Sequence, residues 1–204
     1  MLGRAAVAMW WDVAAVVRAE WENWHTVEHM PERLGIPGFL RGTRWVALSG
    51  EPSYFVLYEA AGLENLTSGA YVERLNNPSP WSQRMMPHHR DMVRSLCSVR
   101  ASSGCGLGGV LATIRFSPQG GAPALPSGRG LTGAVLLESL AADKMPQTAE
   151  QKIRGGDARA ESILLVCGYD GEAVTAATKA LGLAGAVVGY YRPAFSLTPR
   201  DLPQ

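Results

Sequence analysis

Residues 21–41 read Trp21-Glu22-Asn23-Trp24-His25-Thr26-Val27-Glu28-His29-Met30-Pro31-Glu32-Arg33-Leu34-Gly35-Ile36-Pro37-Gly38-Phe39-Leu40-Arg41, and Arg44 stands three positions further on. The first two-thirds of this run has the spacing of an amphiphilic helix. At about 100° per residue, Trp21, Trp24, His25, Glu28 and Glu32 fall on one face. Pro31 has no amide donor and crowds the preceding turn, so it should kink or restart the helix. Ile36-Pro37-Gly38 ends it. From Phe39 the pattern becomes that of a strand, 39–48, followed by the turn-forming Ser49-Gly50-Glu51-Pro52-Ser53 and a second strand, 54–59.

Working outward, residues 5–12 form a short apolar run with Val7, Trp10 and Trp11, which suits a buried strand ahead of the helix. That helix then extends over 13–34. Downstream, 63–75 reads as a helix. Ser79 is a cap with Pro80 at the first helical position, which predicts a further helix towards Arg90. Residues 93–100 close the unit as a strand. The second half repeats this order with losses. Strands are expected at 109–116, 132–140 and 162–167, a helix at 172–181 and a closing strand at 186–195. The slot of the first helix, 117–130, holds Pro118, Pro123, Pro126 and several glycines, and reads as loop. Residues 143–159 are polar and contain glycine, which predicts an exposed excursion between two strands.

Each half is thus a split β-α-β unit of ferredoxin-like type. One such unit leaves a sheet open that a second can cover. The expected fold is α+β: tandem ferredoxin-like repeats forming an internal pseudo-dimeric α/β barrel. The first repeat spans residues 1–102 and the second, lacking most of its first helix, residues 103–204, with the boundary near 102–108. Any further association would take the twofold form, a homodimer.

Composition narrows the function. The 204 residues are 47% hydrophobic and carry a net charge of +1, with no run of basic residues. Nucleic acid is therefore not an expected partner, and no apolar stretch is long enough to cross a bilayer. Residues 1–11 lack a small-residue cleavage site and read as strand, not as a targeting segment. Cys97, Cys105 and Cys167 are odd in number with no Cys-x-x-Cys pair, which fits free thiols in a cytoplasmic setting.

The quoted run also carries the candidate chemistry. Apolar surroundings raise a carboxylate pKa, and an imidazole titrates near neutrality, so His25 and Glu28 are candidate proton carriers. The run from Trp24 to Arg41 resembles the first helix and second strand of the dimeric α/β-barrel superfamily, with its EthD-like branch the one suspected. That superfamily includes antibiotic-biosynthesis monooxygenases, polyketide cyclases and muconolactone isomerase. The resemblance implies a pocket between sheet and helices near His25, Glu28 and His29, and it implies no particular reaction.

His25 and His29 are four apart, a spacing that can serve one metal, but His-x-x-Glu-His lacks a clear third ligand; Glu28, His88 and His89 are the alternatives. A pocket-lining role is preferred, with no metal and no cofactor. His88-His89 reads as an exposed pair at a helix end. Arg41 and Arg44 point to opposite faces of their strand. One is expected to enter the barrel and hold an acidic substrate, with Glu28 or Glu32 as a partner for a buried arginine. Tyr54 and Tyr58 share one face of the next strand and, with Trp21, Trp24 and His29, are substrate-contacting candidates. Gly104-x-Gly106-x-Gly108-Gly109 precedes a strand, so it is a linker and not a nucleotide loop. The expected function is binding of a small molecule, or cofactor-independent chemistry on an aromatic or apolar acidic compound. The alternative is a non-catalytic binding or assembly module. One principal site per chain is expected, because the second half keeps no such helix.

Overall fold

A computed structural model describes residues 1–50, 52–118, 121–141 and 147–203. Its eight strands are β1 (Ala5–Val13), β2 (Phe39–Ala47), β3 (Tyr54–Ala60), β4 (His89–Gly104), β5 (Val110–Phe116), β6 (Leu131–Ser139), β7 (Ser162–Gly168) and β8 (Val187–Leu197). They close into one barrel in the order β1-β3-β2-β8-β5-β7-β6-β4, with every neighbouring pair antiparallel. Within the first half the order is 4-1-3-2, and the second half repeats it as 8-5-7-6. The halves are joined edge to edge by β2–β8 and β4–β6, which are equivalent seams under an internal pseudo-twofold. Closure removes every open edge. The tandem barrel expected from the order of elements is the observed fold.

β1, β3 and β7 are apolar on both faces because both are covered. Ala6, Ala8 and Trp10 of β1 face the lumen with Trp45, Phe55, Leu111 and Leu165. Val7, Met9, Trp11 and Val13 face the helix layer. A lumenal bond from the Trp10 indole to Thr113 Oγ1 (3.1 Å) ties the two halves together. Residue 102, the expected end of the first repeat, lies inside β4; Cys97 to Gly104 pair with β6 while Ala5 to Val13 pair with the earlier part of β4.

Several local expectations are corrected. The long helix is segmented: α1 (Arg18–Trp24), a π-helical turn (His25–His29) and α2 (Met30–Leu34). The predicted 63–75 helix is a 3-10 turn followed by α3 (Gly69–Asn76), whose N-cap Ser68 accepts from the Tyr71 amide. Ser79 caps α4 (Pro80–Met85) as expected, accepting from the Ser82 amide. That helix does not reach Arg90, because the chain is already strand at His89. In the second half α6 (Gly171–Ala180) is capped by Asp170. No helix occupies the 117–130 slot among its described residues.

The largest correction concerns 143–159. Its described part is not an exposed excursion: it contains α5 (Ala149–Ile153), with Thr148 4% and Glu150 3% exposed. The Ala158 carbonyl and amide bond to the Arg94 amide and Met92 carbonyl, each at 2.8 Å, so a segment of the second half lies across β4. It covers the helix-side face of the first half.

Candidate functional site

The π-helical turn has local causes. Pro31 cannot supply an amide to the ladder, and Thr26 Oγ1 donates to the Glu22 carbonyl (2.7 Å), competing with the backbone four residues on. Arg44 Nη1 donates to the same carbonyl at 3.1 Å. The turn carries His25 and His29 inward, 1% and 8% exposed, with ring centroids 5.5 Å apart.

A third histidine joins them from β4. Between Arg90 and Val93 that strand holds one residue more than β1 does between Asp12 and Trp10. Asp91 within this bulge adopts φ +53°. The extra residue reverses the strand's alternation, so that His89, Met92 and Arg94 line one cavity. His89 is therefore not the exposed helix-end residue expected. Each imidazole lies nearest a different indole: His25 on Trp21 (4.8 Å), His29 on Trp24 (4.6 Å) and His89 on Trp11 (5.0 Å).

Burial holds all three imidazoles neutral. Their pKa values lie well below the usual 6.5, chiefly through desolvation, then through Arg44 beside His25, Arg33 beside His29 and Arg154 beside His89. Two tautomers follow from the donors around them. Trp21 Nε1, which only donates, bonds His89 Nε2 at 2.8 Å. The His89 proton therefore sits on Nδ1. Arg44 Nη1 lies 3.4 Å from His25 Nδ1, which must then accept, leaving the His25 proton on Nε2.

The cavity between these groups measures about 20 Å³ and is lined by all three histidines with Tyr58, Arg33 and Glu150. Five buried polar atoms on its lining residues have no partner within the protein: Trp11 Nε1, His29 Nδ1, His89 Nδ1, Arg33 Nη1 and the Tyr58 hydroxyl. Each such group costs about 1–3 kcal/mol when left unpaired in an interior. Five in one place are unusual in a folded chain. At least three are obligate donors: the indole, the guanidinium and His89 Nδ1–H. Arg33, Arg94 and Arg154 also line the cavity against the single carboxylate of Glu150. The surroundings favour an oxygen-bearing or anionic group.

The other sequence candidates have different placements. Glu28 is half-buried and outside the cavity lining; its Oε1 accepts from Trp24 Nε1 (3.1 Å) and from Ser79 and Ser82, tying the helix to the start of α4. Tyr54 donates to Glu22 Oε1 at 2.7 Å. Tyr58 is 2% exposed, and burial pushes its phenol far above the usual range. Arg44 lies beneath Trp21 and Phe195, its guanidinium 5.9 and 5.8 Å from the ring centroids, and burial lowers its pKa. Arg41 takes the opposite face and pairs with Glu59 at 2.6 Å, away from the histidines. The carboxylates expected to pair with a buried arginine do not do so. Glu32 pairs with the half-exposed Arg74 (3.3 Å), while Arg33, buried in the site, pairs with Glu150.

The sequence assigns no site role to Arg33 or Glu150, and it offers His89 as an alternative metal ligand or an exposed helix-end residue. Arg33 had a signal, since it continues the His25, His29 spacing by four. His89 falls at the end of a helix expected to run towards Arg90, whereas it is the first residue of β4. Glu150 had none, because its partner is 117 residues away. Among the described residues, no group of three or more His, Cys, Asp or Glu side chains is arranged as a metal-ligand set.

No protein-family model and no curated protein matches the sequence. Solved structures do match along nearly the whole chain. An anthrone oxidase-like protein superposes with a TM-score of 0.58 at 11% identity, covering 97% of this chain and 93% of its own. A candidate monooxygenase of Lactobacillus acidophilus gives 0.55 at 10% identity, covering 97% of each. A candidate chlorite dismutase gives 0.51 at 9%, covering 96% of each. The likeness establishes the barrel fold of this group; at such identities it carries no residue roles.

Proposed function

We propose that the first-half pocket binds a small aromatic, acidic compound and moves a proton within it. His29 is the proton acceptor, and the donors on Arg33, His89 and Tyr58 receive the oxygen on which charge develops. The observation that carries this is the convergence of five unpartnered buried polar atoms on one cavity whose aromatic wall is Trp11, Tyr58 and Tyr71. The neutral His29 imidazole is poised to accept, and a forming oxyanion between it and Arg33 raises its hold on the proton. The balanced step is transfer of a proton from an acidic C–H to an imidazole nitrogen, with the C–H electron pair delocalised onto the adjacent oxygen. Glu28 then serves by orienting Trp24 and the helix, and Arg44 by fixing His25.

The names of the matched structures, an anthrone oxidase-like protein and a monooxygenase candidate, fit a small aromatic substrate. An EthD-like affinity, a cytoplasmic setting with its three free cysteines and a single ligand site per chain belong to the same proposal.

The test is exchange of the acidic C–H of hydroxyaromatic ketones in deuterated buffer, followed by NMR. The wild type should exchange the label catalytically, and His29→Gln should slow it by about 10²–10⁴-fold. Saturable binding with no exchange would leave a binding module in place of an enzyme.

A further inference from the structure

We infer that Glu150 is a built-in occupant of the anion position on Arg33, and that an organic monoanion takes its place when ligand enters. This rests on the pocket reading above and names the ligand's charge.

The pair is buried on both sides, with side chains 3% and 4% exposed, and it joins the two halves of the chain. Glu150 reaches Arg33 through Nη2 alone, while Arg33 Nη1 has no partner. A guanidinium presents two parallel N–H groups that match a carboxylate edge. A ligand carboxylate that engages both nitrogens therefore outcompetes a one-pronged internal one. Space requires the exchange as well. About 20 Å³ admits roughly one water, so no organic molecule enters while Glu150 holds its place.

Besides this pair, α5 has one polar tie to the first half, the Ala149 amide donating to Asn76 Oδ1 at 3.0 Å. Arg154 and Asp157 are matched within the segment: they bond each other at 3.1 and 2.9 Å, and Arg154 lies 3.6 Å from Glu150. Gly155 and Gly156 follow α5 with φ of +82° and +102°, and Ala158 beyond them is anchored on β4. Glycines in that region provide a pivot between a fixed strand contact and a short helix. Once Glu150 leaves, Arg33 has lost its carboxylate and Arg94 contacts only the Tyr71 hydroxyl (2.9 Å). Two guanidiniums then await one anion.

The test compares 2-naphthoate with neutral 2-naphthamide by tryptophan fluorescence. Glu150→Gln should bind naphthoate about tenfold tighter than the wild type, the scale of one hydrogen bond to a charged group. Naphthamide should gain as well, since it too must displace residue 150, so the charge preference is read from the double variant. The double variant Arg33→Gln/Glu150→Gln removes both charges, and so avoids an unpaired buried arginine; its preference for naphthoate over naphthamide should fall by at least about tenfold. Equal or weaker naphthoate binding by Glu150→Gln, or a preference retained in the double variant, overturns the displacement and leaves the pocket standing. If neither compound binds any of the three proteins, the pocket reading falls with it.

Discussion

The indole of Trp21 donates to Nε2 of His89 across 2.8 Å, joining the first helix to the bulged start of β4. That bond decides where the His89 proton lies, because an indole cannot accept. It leaves Nδ1–H as a fixed donor on a residue that lines the cavity. A histidine free to choose its tautomer would serve an oxyanion part of the time only.

Trp21→Phe should release that choice. The neutral form of His89 loses a hydrogen bond that its protonated form cannot make, so its pKa should rise towards the ordinary value. Nitrogen-15 spectra of the imidazoles should show one tautomer in the wild type and a mixture in the variant. An unchanged His89 signal would remove the tautomer argument.

Acid sensitivity follows from the three histidines together. Their folded pKa values are depressed, while in the unfolded chain each takes a proton near 6.5. Below that pH the unfolded state binds more protons than the native state, so stability falls as pH drops. It is fully present above about pH 7, and the loss continues down to the depressed folded values. Three such groups give a limiting slope of about 4 kcal/mol per pH unit. Urea titrations between pH 7.5 and 5 should show this decline, with His29→Gln removing about a third of the slope. A flat profile over that range contradicts it.

The two ion pairs of the helix layer should differ sharply in worth. Glu150→Ala leaves Arg33 charged, buried and alone, and should cost about 3–5 kcal/mol. Arg74→Ala breaks its pair with Glu32, in which Arg74 is 42% exposed, and should cost at most about 1 kcal/mol. Denaturant midpoints at constant m-value report both. Similar costs for the two would mean that α5 is not integral to the closed structure.

Much of the fold was legible because it is written locally. The apolar runs of β1 and β3, the turn at Gly50 and Pro52, and the Ser79-Pro80 cap each announce an element without reference to the rest of the chain. Repetition of their order then gave the barrel. The site was legible only in part. A π-helical turn leaves no periodic mark of its own, so a face drawn at about 100° per residue takes in His25 and Glu28 and leaves out His29. The β4 bulge reversed the alternation on which a reading of His89 depends. Glu150 lies in a polar segment whose burial comes from a distant arginine, and local hydrophilicity pointed the opposite way.

The packing beneath the site yields the last prediction, at Gly42 on β2. A Cβ there would stand 2.8 Å from Met30 Cε and 2.9 Å from two ring carbons of Tyr58. Met30 belongs to α2, and Tyr58 carries the unpartnered hydroxyl of the cavity. The thioether end can swing aside, but the buried ring cannot do so without moving its hydroxyl. Gly42→Ala should therefore destabilise by about 1–3 kcal/mol, as overpacking does in a filled core. Gly69→Ala, at the first residue of α3 with nothing within 4 Å of the added carbon, should instead be neutral or stabilising by up to about 1 kcal/mol. Adding Met30→Ala to Gly42→Ala should recover only part of the loss, because the ring contact persists, and the two changes should be non-additive. Ligand affinity supplies the second readout: it should fall in Gly42→Ala, and adding Tyr58→Phe should weaken it no further. Full recovery by Met30→Ala with unaltered affinity would show that the strand's close approach serves the helix alone and not the position of Tyr58.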